Sequence, residues 1–201
     1  MSNGSLQVGR VLRAGTRGFV IGCAVMQPDI PAFGSFVRTE GQTPGSAIYG
    51  LIYDVSVEDD PFVRQLISAE LRNKEVELDD RENRRVPVEV SVLAVGCNDG
   101  DTIRHRLPAQ PPVTLDWLYQ CSDEDVRAFT DRFDYFRLVL EARELPADEL
   151  LAASLRAAAA ARPEGERETF LVEAGRELAR LLAGDPVRLE GLLRRLREGA
   201  R

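Results

Sequence analysis

The sequence predicts an α+β chain, with a β-sheet or small barrel in its first half and an all-helical bundle in its second. Three observations carry this. In Ser46–Val57, Ala47, Tyr49, Leu51, Tyr53, Val55 and Val57 alternate with Ser46, Gly50, Asp54 and Ser56. In Val86–Val95, Val86, Val88, Val90, Val92 and Ala94 alternate with Pro87, Glu89 and Ser91. Successive side chains leave opposite faces of a strand, so this period of two marks two long, half-buried strands. Composition then changes across Leu107-Pro108-Ala109-Gln110-Pro111-Pro112, from glycine- and valine-rich to rich in Ala, Leu, Arg and Glu. Beyond it, apolar residues recur every three or four positions, the spacing of one helix face.

Taken in order, Val8–Leu12 is a short strand and Arg13–Gly18 a glycine-punctuated turn. Phe19, Ile21, Cys23 and Val25 line a second strand. Pro28 and Pro31 remove backbone donors, so Met26–Phe33 is a loop. Ser35–Arg38 is a third strand, and Glu40–Gly45 connects it to Ser46–Val57. Asp60-Pro61 starts a helix over Phe62–Asn73, because the carboxylate caps and proline is pre-set for the first helical position. Lys74–Arg85 is dominated by charge and reads as an exposed insertion. After the second long strand, Asp99-Gly100 is a hairpin signal leading to a brief strand, Thr102–Arg106. The Pro-rich connector follows, and the boundary between the two halves is placed at Pro112.

The second half reads as four helices. Ser122 caps the first, with Asp123, Glu124 and Asp125 complementing the dipole. Its stripe is Val126, Phe129, Phe133, Phe136 and Leu140. Pro146 opens a second helix with Leu150, Leu151, Leu155 and Ala158 on one face. Pro163 separates it from a third, carrying Phe170, Ala174 and Leu178. Gly184-Asp185-Pro186 stops that helix and starts the last, with Leu189, Leu192 and Leu196.

The net charge of −7 argues against a broad basic surface gripping phosphates. No apolar run reaches the ~18 residues of a transmembrane helix. Met1-Ser2-Asn3-Gly4-Ser5 lacks the basic and apolar regions of a secretory signal, so a cytoplasmic location is expected. The three cysteines, Cys23, Cys97 and Cys121, form no CxxC pair, and His105 is the single histidine. Neither a disulfide framework nor a zinc site is expected. The sequence holds no P-loop, GxGxxG, HExxH or GxSxG motif, so no catalytic residue, metal or cofactor is assigned.

Gly9-Arg10-Val11-Leu12, Phe36-Val37 and Tyr49-Gly50-Leu51-Ile52-Tyr53-Asp54-Val55 together resemble the opening of a HAS barrel. That is the small β-barrel shared by HerA-type DNA-translocating ATPases and rotary ATP synthase subunits. The resemblance spans Val8–Val113 and implies a closed β-barrel over residues 1–112, with a helical and charged insertion at about 60–85. A helical domain over 113–201 stands where HerA carries its ATPase domain. In the family the barrel is an assembly element and a docking surface for the NurA nuclease. The resemblance therefore implies a noncatalytic adaptor that associates with a HerA-like ATPase or NurA-like nuclease, with self-association a further expectation. The alternative is a nucleic-acid-binding barrel contacting its ligand through Arg10, Arg13, Arg17 and Arg38. A locally basic tail, Arg194, Arg195 and Arg197, is a candidate partner contact, although basic residues also suit a helix C-terminus.

Overall fold

The computed structural model describes residues 6–26, 31–57, 85–100 and 102–198. Among the described residues seven strands form, β1 (Gln7–Ala14), β2 (Gly18–Met26), β3 (Phe36–Glu40), β4 (Ser46–Val57), β5 (Arg85–Asp99), β6 (Ile103–Arg104) and β7 (Trp117–Gln120). All pairings are antiparallel, in the order β2-β1-β7-β3-β4-β5, and β5 pairs back onto β2. The sheet thus closes into a six-stranded barrel, which removes its open edges. The two-residue β6 hangs on the far end of β5.

β4 spans the residues its alternation predicts, and β5 extends somewhat beyond its predicted stretch. Fifteen residues long, β5 is shared between neighbours, pairing β2 over Arg85–Leu93 and β4 over Val88–Asp99. Register shifts at Tyr49/Gly50 and Ile52/Asp54 bend β4 around the barrel. The closing strand β7 lies beyond the composition change at Pro112, so the barrel takes its last strand from Trp117–Gln120. The helix expected over Phe62–Asn73 and the charged stretch to Arg84 lie outside the described residues.

The barrel interior is apolar, built from Val11, Ile21, Val37, Ile48, Ile52, Val90, Val92 and Leu118, each at most 2% exposed. A second core lies outside the barrel. There Phe36, Tyr49, Leu51, Leu93 and Val95, the outward residues of β3, β4 and β5, pack under the helices. The helical half therefore buries its apolar stripes against one barrel wall as well as within itself.

Among the described residues five helices follow, α1 (Asp123–Phe129), α2 (Phe136–Leu140), α3 (Ala147–Ala160), α4 (Glu164–Leu181) and α5 (Pro186–Glu198), of which α1, α2 and α3 meet that wall and α4 and α5 pack on α3. Ser122 caps α1 as predicted: its Oγ accepts from the Asp125 amide at 3.1 Å, and the Ser122 amide donates to Asp125 Oδ2 at 3.0 Å. The stripe read as one helix from Val126 to Leu140 is two. Thr130 ends α1, and its hydroxyl donates back to the Val126 carbonyl at 2.6 Å. Two carbonyls at the end of α3 are taken up by arginines: Arg162 donates to Ala158 and Arg127 to Ala161. None of the helices among the described residues is long and apolar enough to cross a membrane.

Candidate functional site: the open barrel wall around β7

Because Leu118 points into the barrel at 0% exposure, its strand neighbours Trp117 and Tyr119 both leave the outer face. Residues paired across a ladder share a face. Arg10 on β1 pairs with Trp117, and Arg38 on β3 pairs with Tyr119. The wall therefore presents two half-buried aromatic rings with an arginine on each flank. The Arg10 guanidinium sits 4.0 Å over the Trp117 ring, a cation–π contact that holds both side chains in place. Arg10 also donates to the Leu115 carbonyl at 2.9 Å. On the other flank Arg38 Nε lies 3.5 Å from Asp125 Oδ2 at the start of α1. Beside it, Arg38, Ser46, Tyr49, Asn98 and Tyr119 line a shallow depression of about 580 Å³.

Leu115 adopts φ +70°, a left-handed conformation that bulky residues rarely take. Its amide donates to the Val11 carbonyl at 2.8 Å, and Arg10 grips its carbonyl, so the ladder over-determines the strained geometry. The result is a leucine side chain held outward, 64% exposed; Val113 (44%) and Leu12 (46%), which lies over Gly22 of β2, are exposed as well.

The four barrel arginines expected to act together divide into two groups. Arg10 and Arg38 flank β7. Arg13 pairs with Glu89 at 3.1 Å, and both Arg13 and Arg17 border another cleft, beside Tyr53, Arg143 and Leu145. On α5, Arg195 donates a hydrogen bond to Glu149 of α3, while Arg194 is exposed and 4.0 Å from Glu198. Arg188 adds a clamp to Asp148 at 2.7 Å, fastening α5 to α3. Sequence reading missed Trp117 and Tyr119; the signal for them was the brief Trp-Leu-Tyr alternation after the prolines.

His105 joins the barrel to the helices. Its Nε2 is 2.9 Å from the Phe129 carbonyl, which can only accept, so Nε2 carries the proton and Nδ1 the lone pair. The ring packs 4.5 Å from Phe129 and 5.4 Å from Tyr135. Burial holds the imidazole pKa below its ordinary value of 6.5, against the opposing pull of the Phe129 hydrogen bond and Asp134, with Arg132 adding to the depression. The unfolded chain therefore binds this proton more readily than the folded one. The stability His105 contributes is complete above pH 6.5 and declines as pH falls from there through the depressed folded value. Urea titrations at pH 7.5 and 5 should show a smaller acid loss in His105→Gln than in the wild type. An equal loss in both refutes the assignment.

Burial likewise pushes the thiols of Cys23 and Cys121 up, which keeps them protonated and poorly reactive. Among the described residues no group of three or more His, Cys, Asp or Glu side chains converges on a metal-sized site. By its architecture the chain is a closed-barrel protein with a helical layer on one wall and an open aromatic–basic face on β7. Compared with known proteins, it matches no family model and no curated relative.

Proposed function

We propose that this chain is a noncatalytic adaptor or assembly module of a DNA-processing system, docking on a HerA-like ATPase or a NurA-like nuclease. The observation that carries the reading is the asymmetry of the barrel. Helices bury the outer faces of β3, β4 and β5, whereas Leu12 and Leu115 stand exposed beside β1 and β7. Leu115, an exposed apolar side chain held outward by strained backbone, is a feature expected of an interaction surface. The HAS-barrel resemblance supplies the class of partner.

The test is affinity capture of the tagged chain from nuclease-treated lysate of its own cells. A HerA-like ATPase or a nuclease should be recovered, and Leu12→Asp with Leu115→Asp should cut recovery at least about tenfold, since truncated anchors at an interface centre commonly cost 2 kcal/mol or more. Undiminished recovery with the double variant, or recovery of neither partner, overturns the proposal.

A second reading, nucleic-acid binding by the barrel, is favoured by one observation, the Arg10 guanidinium stacked on Trp117. Positive charge held against a partly exposed aromatic ring is a feature of surfaces that take up unpaired bases.

A further inference from the structure

We infer that β7 is a stacking platform for single-stranded nucleic acid, with one base on the Arg10 guanidinium that covers Trp117, the next on Tyr119, and Arg38 beside them. This rests on the second reading above and makes it specific. Trp117 and Tyr119 project from the same face of one strand, roughly 6.6 Å apart given a rise of ~3.3 Å per residue. Adjacent splayed bases of an extended strand can span that separation. Every base offers a π-face, so two aromatic rings in line bind a strand with little regard to sequence.

Charge selects the occupant. Arg10 pairs in register with Trp117 and stacks over its ring, and Arg38 pairs with Tyr119, so each ring is associated with a guanidinium. An arginine stacks on bases and bonds phosphate oxygens, and this pairing of rings with guanidinium groups is complementary to a strand of bases and phosphates. A duplex hides its base faces and would meet only two cations. On a chain of net charge −7, with Glu40 and Asp125 beside Arg38, two cations give weak purchase on phosphates alone. Stacking must therefore supply most of the affinity. The depression of about 580 Å³ beside Tyr119 gives a base room to enter next to Tyr49 and Asn98.

The experiment uses the full chain and its single tryptophan, Trp117, as the reporter. The probe is an oligothymidylate of about a dozen nucleotides, within the range covered by one small barrel. Titration should quench Trp117 fluorescence, whereas an oligonucleotide duplex of equal length should not. Two phosphate contacts predict a shallow salt dependence, with a slope of log K against log[salt] of about −1.4 at −0.7 per contact. Tyr119→Ala should weaken binding about 5- to 150-fold, the range for losing one stacked base. Trp117→Ala, followed by anisotropy of labelled oligonucleotide, should weaken binding over the same range.

The outcomes separate the two levels of the claim. No binding of either probe overturns the nucleic-acid reading and the platform together. Binding with unchanged Trp117 fluorescence and wild-type affinity in Tyr119→Ala leaves nucleic-acid binding standing but removes β7 from it. Equal or tighter binding of the duplex also overturns the platform. A circular dichroism spectrum matching wild type shows that each variant is folded.

Discussion

Phe129→Ala is expected to lower the free energy of unfolding by about 3–5 kcal/mol, the range for removing a fully buried aromatic ring. Phe129 is 1% exposed and sits where the barrel wall meets the helices. Its ring lies 5.8 Å from Phe36 and 5.1 Å from Tyr49 on the wall, 4.5 Å from His105 beyond β6, and 5.3 Å from Tyr135 ahead of α2. The wall is shaped for it: a Cβ added at Gly96 would stand 2.7 Å from the ring. Truncation thus empties a site bounded by rigid strands on one side and packed rings on the other. Neither side can collapse far to fill it, which places the loss toward the upper end. Urea denaturation checks this directly. A second consequence follows from position: with the joint weakened, barrel and helices should no longer unfold in one step, and tryptophan fluorescence from the barrel and helical circular dichroism should separate. Phe129→Leu, which keeps most of the volume, should lose less than ~1.5 kcal/mol and keep one transition. A loss below about 1 kcal/mol in Phe129→Ala would show that the ring is not the joint described.

The sequence made β4 and β5 legible because each is long enough for its alternation to stand out, and because one face of each is committed to the barrel interior. Ser122 was legible for a local reason, since a cap is decided by its neighbours three residues on. Other features depended on contacts distant in sequence. β7 has only four residues, follows Pro111-Pro112, and is fixed by pairing with β1, over 100 residues earlier, and with β3. The break after Phe129 was masked because Val126, Phe129, Tyr135, Phe136 and Val139 all enter one core, so the apolar spacing runs on through the turn. That core in turn includes outward residues of β3, β4 and β5, which alternation marks as facing away from the barrel interior without saying what covers them. The arginines show the same limit. Arg10 and Arg38 are 28 positions apart and meet only across β7, while Arg13, three residues from Arg10, is drawn to Glu89.

Gly34→Val is expected to cost about 2–5 kcal/mol, by a mechanism different from that of Phe129. Gly34 precedes β3, donates to the Ile52 carbonyl at 2.8 Å, and adopts φ +84°. A β-branched residue in that region carries about 1–2 kcal/mol of backbone strain. Space adds to this. A Cβ at Gly34 would lie 2.5 Å from the Ala153 Cβ and 3.0 Å from the Ala153 carbonyl carbon, in the middle of α3. The second contact is with backbone, so no rotamer relieves it; α3 must move away from the barrel, and overpacking of this kind costs about 1–3 kcal/mol. The two contributions can be told apart. Gly34→Ala carries both in milder form, and Ala153→Gly removes the nearest contact while leaving the left-handed strain. In a double-mutant cycle, the Gly34→Ala penalty should therefore shrink in the Ala153→Gly background without vanishing, after allowance for the ~1 kcal/mol that glycine itself costs within a helix. If the penalty is the same in both backgrounds, close seating of α3 on the loop before β3 is not what holds glycine there. Wild-type stability in Gly34→Val would reject the backbone assignment as well.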